Sequence, residues 1–161
     1  MKLFKRIAIL PILALNAVMF YNIHVTAIPV SISKDVRIQR ILENMGIEKD
    51  ADKIAEAIHF VSQRTDISPE LIIALIHTES EFKKYAKSSM NYKGYAQIPY
   101  PIYHEDANIL VGMHILKEKL ELTNGDLKKA LCLYKGWPAN HPKGVRQAKE
   151  VLKLYERLIK I

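Results

Sequence analysis

With 161 residues, 24 basic against 17 acidic side chains and a formal net charge of +7, the chain has the length for one compact domain and not for two. Beyond the N-terminal stretch no segment is long and apolar enough to span a bilayer, which excludes a multi-spanning protein. The one cysteine, Cys132, excludes a disulfide within the chain, and its distance from the N-terminus excludes lipid attachment at an export cut.

Lys2, Lys5 and Arg6 precede an uncharged run from Ile7 to Ser33, the arrangement of an export signal. Val25-Thr26-Ala27 places small residues at the −1 and −3 positions of a cut after Ala27. The alternative is an uncleaved anchor, since the run is long enough to cross about 30 Å of hydrocarbon, although Pro11 and Asn16 interrupt it. Residues 1–27 are therefore read as leader or anchor and residues 28–161 as the functional domain. Membrane contact is expected only through 1–27, if they are retained. Removing them takes away three positive charges and no negative ones, leaving a basic balance that suits an anionic wall polymer or membrane surface and many ordinary proteins besides. A nucleic-acid partner is not expected, because the Lys and Arg residues are scattered and the leader points out of the cell.

The remainder follows a 3.6-residue period and predicts an all-α domain. A first helix carries Val36, Ile41, Leu42 and Met45 and stops at Gly46. A second starts behind Asp50 as N-cap, with Ile54, Ala55, Ile58 and Val61 on one face. Ser68-Pro69-Glu70 opens a third that is expected to run to about Lys84: serine caps the free amides, proline suits the first helical position, and the acid favours the positive dipole end. From Tyr85 to His104 the period fails and a loop-rich segment is expected. A fourth helix runs from about Asp106 to Leu122 with Ile109, Met113, Leu116 and Leu120 inward. Asn124-Gly125-Asp126 ends it and caps a fifth, Leu127 to Tyr134, where Cys132 reads as a buried, inert thiol. Gly136, Pro138 and Pro142 break the chain, and a last helix presents Val145, Ala148, Val151, Leu152, Tyr155 and Ile159.

One carboxylate lies on an apolar face. Ile72, Leu75 and Ile76 stand seven, four and three residues before Glu79, and Phe82 three after. A buried glutamate cannot stay ionised without a large desolvation cost, so its pKa is expected to rise, as a general acid requires. Periodicity alone also fits a structural glutamate held by a cation or by backbone donors, or one that reaches water at a frayed helix end. Glu81 points to a different side and reads as a solvated charge.

Downstream come Ser80 and Phe82, then Ala86, Ser88, Gly94, Gln97 and Ile98. This ordered set resembles the lytic transglycosylase domain related to goose-type lysozyme, whose pattern is Glu-Ser-x-Phe, Ala-x-Ser, Gly-x-x-Gln-Ile with these same intervals. The resemblance continues in Asn108-Ile109 with Gly112, and in Gly125-Asp126, Ala130-Leu131 and Tyr134. It implies a single lysozyme-like helical domain with Glu79 as catalytic acid and base, no metal and no cofactor. The glycosidic oxygen between N-acetylmuramic acid and N-acetylglucosamine would be protonated by Glu79, and the muramyl C6 hydroxyl would close onto C1 to give a 1,6-anhydro sugar. Ser88, Tyr95, Gln97 and Tyr134 are the substrate-binding candidates, with loop capping as the structural alternative for Ser88 and Gln97. Neither His77, His104 and His114 nor the His77-Thr78-Glu79 sequence has the spacing of a zinc site.

Three pairs of residues depart from the family pattern. Asn91-Tyr92 stands for Gly-Ala, Tyr95-Ala96 for Leu-Met, and Tyr134-Lys135 for Tyr-Asn. An inward Lys135 would favour the charged form of Glu79, so the reading expects it to point outward. The alternatives are a lysozyme-like hydrolase, for which Glu105 or Asp106 would have to activate water, and a catalytically silent wall-binding or assembly protein. The expected partner is a peptidoglycan strand, with a secretion, conjugation or phage machine as the larger assembly served.

Overall fold

Ser68, Pro69 and Asp126 start helices as the sequence predicts. Ser68 Oγ accepts from the Leu71 amide at 3.3 Å, Pro69 takes the first helical position, and Asp126 accepts from the Lys129 amide at 3.0 Å. The computed structural model describes residues 36–161, so the leader or anchor expected at 1–27 lies outside the described residues. In chain order the helices are α1 (Val36–Asn44), α2 (Ala51–Thr65), α3 (Pro69–Ser80), α4 (Glu105–Leu122), α5 (Leu127–Tyr134) and α6 (Pro142–Leu158). Among the described residues there is no strand, only isolated bridges joining Lys93 to Lys87 and to Ile98. The expected all-α class holds there, and no helix is long and apolar enough to cross a membrane.

α3 is the centre. Its residues Leu71 to Ile76 are buried without interruption, so the helix is apolar all round rather than on one stripe. α2 and α6 lie against it, α2 packs on α4, α5 bridges α4 and α6, and α1 caps α2. Ile38, Ile41 and Leu42 of α1, Ile54, Ile58 and Val61 of α2, Ile109, Met113 and Leu116 of α4, and Val151, Leu154 and Leu158 of α6 complete one core.

Four local expectations are corrected. Asp50 does not cap α2 through its side chain; it adopts a left-handed backbone (φ 58°), and its carboxylate faces Lys53 at 3.5 Å. Val36 and Ile159 are exposed, since each lies at the end of a helix where no layer covers it. Pro142 starts α6 instead of breaking the chain, because its missing amide costs nothing at a helix N-terminus. Finally, α3 stops at Ser80, short of Lys84. Glu81 (φ 51°) and Phe82 (φ 60°) are both left-handed, and buried Phe82 folds back into the core. Left-handed backbone at non-glycine residues costs on the order of 1 kcal/mol each, which Phe82 burial offsets.

Candidate active site

Because α3 runs through the core and ends just past it, Glu79 occupies the last turn, where the helix emerges. Its side chain is 12% exposed. Burial holds its carboxyl above the usual carboxylate range, and the positive charge of Lys135 draws it part of the way back. The expectation that Lys135 points outward is overturned. Its ammonium Nζ lies 2.9 Å from Glu79 Oε1, with the lysine side chain only 9% exposed. The cause is helical register. Lys135 follows fully buried Leu131 by four residues and donates its amide to the Leu131 carbonyl, so it shares the inward face of α5. The contact is a close, largely buried ion pair. Burial still prevails over the cation, and the carboxyl remains raised.

The residue before Lys135 also faces Glu79. Tyr134 donates its hydroxyl to the Ala96 carbonyl at 2.6 Å. Burial, with the negative charge of Glu79 added, holds that hydroxyl well above the usual phenol range, so it stays a donor. Gly112 of α4 makes room for this junction: a Cβ there would stand 2.4 Å from Ala96 Cβ and 3.0 Å from the Tyr134 hydroxyl oxygen.

The loop carrying Ala96 is held by Asn108, a fully buried residue of the matched pattern to which sequence reasoning gave no role. Its Oδ1 accepts from the Ala96 amide at 2.8 Å, while its Nδ2 donates to the carbonyls of Ile102 at 2.7 Å and Lys93 at 3.2 Å. Gly94 (φ 78°) lies so near this amide that a Cβ would meet Nδ2 at 2.3 Å. Gln97, itself left-handed, donates from Nε2 to the carbonyls of Gly94 at 2.9 Å and Ala86 at 3.1 Å. Ser88 closes a turn, its Oγ accepting from the Tyr92 amide at 3.0 Å. Glycine, asparagine, glutamine and serine thus replace the hydrogen bonds that regular structure would supply.

The structure therefore pairs Lys135 with Glu79, puts the Tyr134 hydroxyl within reach of the Glu79 charge and bonds that hydroxyl to the Ala96 carbonyl. Ser88 and Gln97 are occupied in the loop. The Tyr95 ring is buried in the core, where burial, with the charges of Glu105 and Asp50 added, pushes its hydroxyl up to about 12. Tyr85, Tyr100 and Tyr103 are exposed, with the Tyr85 and Tyr103 rings 5.5 Å apart.

The other acids of the region are committed elsewhere. Glu105 pairs with Lys84 at 2.8 Å, and that hydrogen bond holds its carboxyl below the usual range. Asp106 faces His104 Nδ1 and the Ala107 amide, both at 2.6 Å. Glu81 is mostly solvated and pairs with Lys83 at 2.7 Å. The buried Cys132 thiol is pushed up by desolvation, as an inert thiol should be.

Residues 56–101 match the family model described as the Transglycosylase SLT domain. That segment runs from within α2, through α3, to the loop ahead of α4, and contains Glu79, Ser88, Tyr95 and Gln97. Over this segment the chain is similar to the SLT transglycosylase domain, the family whose resemblance was read from its residues. No curated protein matches the chain.

Proposed function

We propose that this chain is a peptidoglycan lytic transglycosylase in which Glu79 is the catalytic acid and base. The observation that carries the reading is a buried glutamate with a raised pKa inside a segment that matches the SLT domain. A carboxyl whose burial favours the protonated form more than in a free glutamate is suited to protonate the oxygen of the β-1,4 bond between N-acetylmuramic acid and N-acetylglucosamine. As a carboxylate it then accepts the proton of the muramyl C6 hydroxyl as that oxygen bonds C1. The product carries a 1,6-anhydro ring, no water is consumed, and Glu79 ends protonated as it began.

The commitment of Glu105, Asp106 and Glu81 to Lys84, His104 and Lys83 supports this route over a two-carboxylate hydrolase, which needs a second acid free to activate water or attack the sugar. Positive charge develops on the sugar ring in either route, and the Tyr134 hydroxyl, which feels the Glu79 charge and is oriented by its bond to the Ala96 carbonyl, supplies a fixed dipole. The exposed faces of Tyr85, Tyr100 and Tyr103 suit the apolar faces of sugar rings, while their hydroxyls stay wet. The site needs no cofactor. We place the domain outside the cytoplasmic membrane, released by a cut after Ala27 or held by residues 1–27, where it opens the wall locally for a larger envelope-spanning machine.

Mass spectrometry of digested peptidoglycan tests the chemistry. Muramyl products lighter by one water than reducing ends are expected. Reducing ends alone would identify a hydrolase, and the absence of any soluble product would identify a wall-binding protein.

A further inference from the structure

The chemistry above needs Glu79 with its proton, yet the resting site sets an ammonium against the carboxylate. Lys135 Nζ is 2.9 Å from Oε1, and both side chains are about nine-tenths buried. The other titratable neighbours do not offset this arrangement. Tyr134, also from α5, donates to Ala96 and remains neutral. On α3 itself, His77 Nδ1 is buried without a hydrogen-bond partner among the described residues, and just past its end Glu81 turns to solvent to pair with Lys83. Among the described residues Lys135 is the charged group that acts on Glu79, and the acids at the head of α4 are paired with Lys84 and His104.

We propose that Lys135 is a positioning residue of this site, which holds Glu79 as a carboxylate in the resting chain until a bound glycan displaces its ammonium. The proposal rests on Glu79 being the cleaving acid. Protonating Glu79 in place would strand a buried ammonium without its counter-charge, which a low-dielectric site strongly disfavours. Arming the acid therefore requires the ammonium to leave. Its four-carbon stem permits that swing, since α5 ends at Tyr134 and the left-handed Gly136 (φ 77°) turns the chain just beyond. The consequence is a cost that grows with pH. The resting lysine lowers the pH up to which the acid form is available, and asparagine at this position, the residue usual in the family, leaves burial unopposed.

The test compares pH profiles of kcat/KM on soluble peptidoglycan strands for the unaltered chain, Lys135→Asn and Lys135→Arg, with Glu79→Gln as the control. Lys135→Asn should move the alkaline limb up by roughly 1–2 pH units, the range expected when one close opposite charge is removed. Lys135→Arg, which keeps the cation, should leave the limb within a few tenths of a unit of the unaltered chain. An unmoved limb in Lys135→Asn overturns the proposal, as does an equal shift in both variants, which would mark Lys135 as packing alone. A second reading is NMR of the Glu79 Cδ resonance, whose midpoint should be higher in Lys135→Asn than in the unaltered chain, and an unmoved midpoint overturns the pairing. Should Glu79→Gln still cleave, the reading of Glu79 as the acid fails, while the Glu79 Cδ midpoint in the unaltered chain and in Lys135→Asn still decides whether the pair exists.

Discussion

The Tyr134 hydroxyl donates to the Ala96 carbonyl at 2.6 Å, and this one bond ties the end of α5, whose next residue pairs with Glu79, to the loop ahead of α4. Tyr134→Phe leaves that carbonyl without its donor. The expected loss is about 1–3 kcal/mol of stability, read from the urea midpoint. Wall lysis should fall further than stability does, because the loop loses its tether at the reacting end. Lysis unchanged from the unaltered chain would remove Tyr134 from the site.

Gly112 tests the same junction from beneath. A methyl placed there meets Ala96 Cβ at 2.4 Å, so Gly112→Ala must push the loop away or strain α4. Overpacking of this kind costs about 1–3 kcal/mol. The second-site change Ala96→Gly removes the opposing atom, and the double variant should recover most of the lost stability and activity. Failure to recover would show that Gly112 matters for another reason.

The Glu79 and Lys135 pair predicts strong non-additivity. Removing one partner leaves the other buried without its counter-charge, so Glu79→Gln and Lys135→Met should each cost about 3–5 kcal/mol. The double variant should cost less than either alone, since nothing charged is then left buried. Chemical denaturation of the four proteins measures the coupling, and simple additivity would contradict the pairing.

A linked prediction concerns pH. Glu79 titrates above its ordinary value in the folded chain, so within that window the native state binds more protons than the unfolded state. Its contribution is fully present below the ordinary carboxylate value and is lost as pH rises through the raised one. Relative to the Glu79→Gln, Lys135→Met double variant, the unaltered chain should therefore lose stability as pH climbs through that interval. The lowered carboxyls of Glu81, Glu105 and Asp126 act in the opposite sense, but both proteins share them and the difference cancels.

Much of this architecture was legible in the sequence because caps and periods are local. Ser68-Pro69 and Asp126 act on amides two or three residues away, and the inward faces of α2 and α4 follow from spacing alone. The end of α3 was not legible, since it is set by Phe82 reaching back into a core assembled from distant segments. Nor did the spacing around Glu79 distinguish a stripe from a helix buried on every side. Lys135 was misplaced for a different reason: its charge was weighed and its register was not. Leu131, four residues earlier, marks the same face as buried, and the pairing could have been read from that interval. The roles of Asn108 and Gly112 were not readable, because each acts on a loop more than ten residues away in sequence.

The most direct trial of the account is the rate at which purified wall is solubilised by the unaltered chain and by Glu79→Gln, with circular dichroism confirming that the variant keeps its helices. Loss of the acid should lower the rate by at least about two to four orders of magnitude, the usual contribution of a general acid and base. A folded Glu79→Gln chain that lyses wall within a few-fold of the unaltered rate would contradict it.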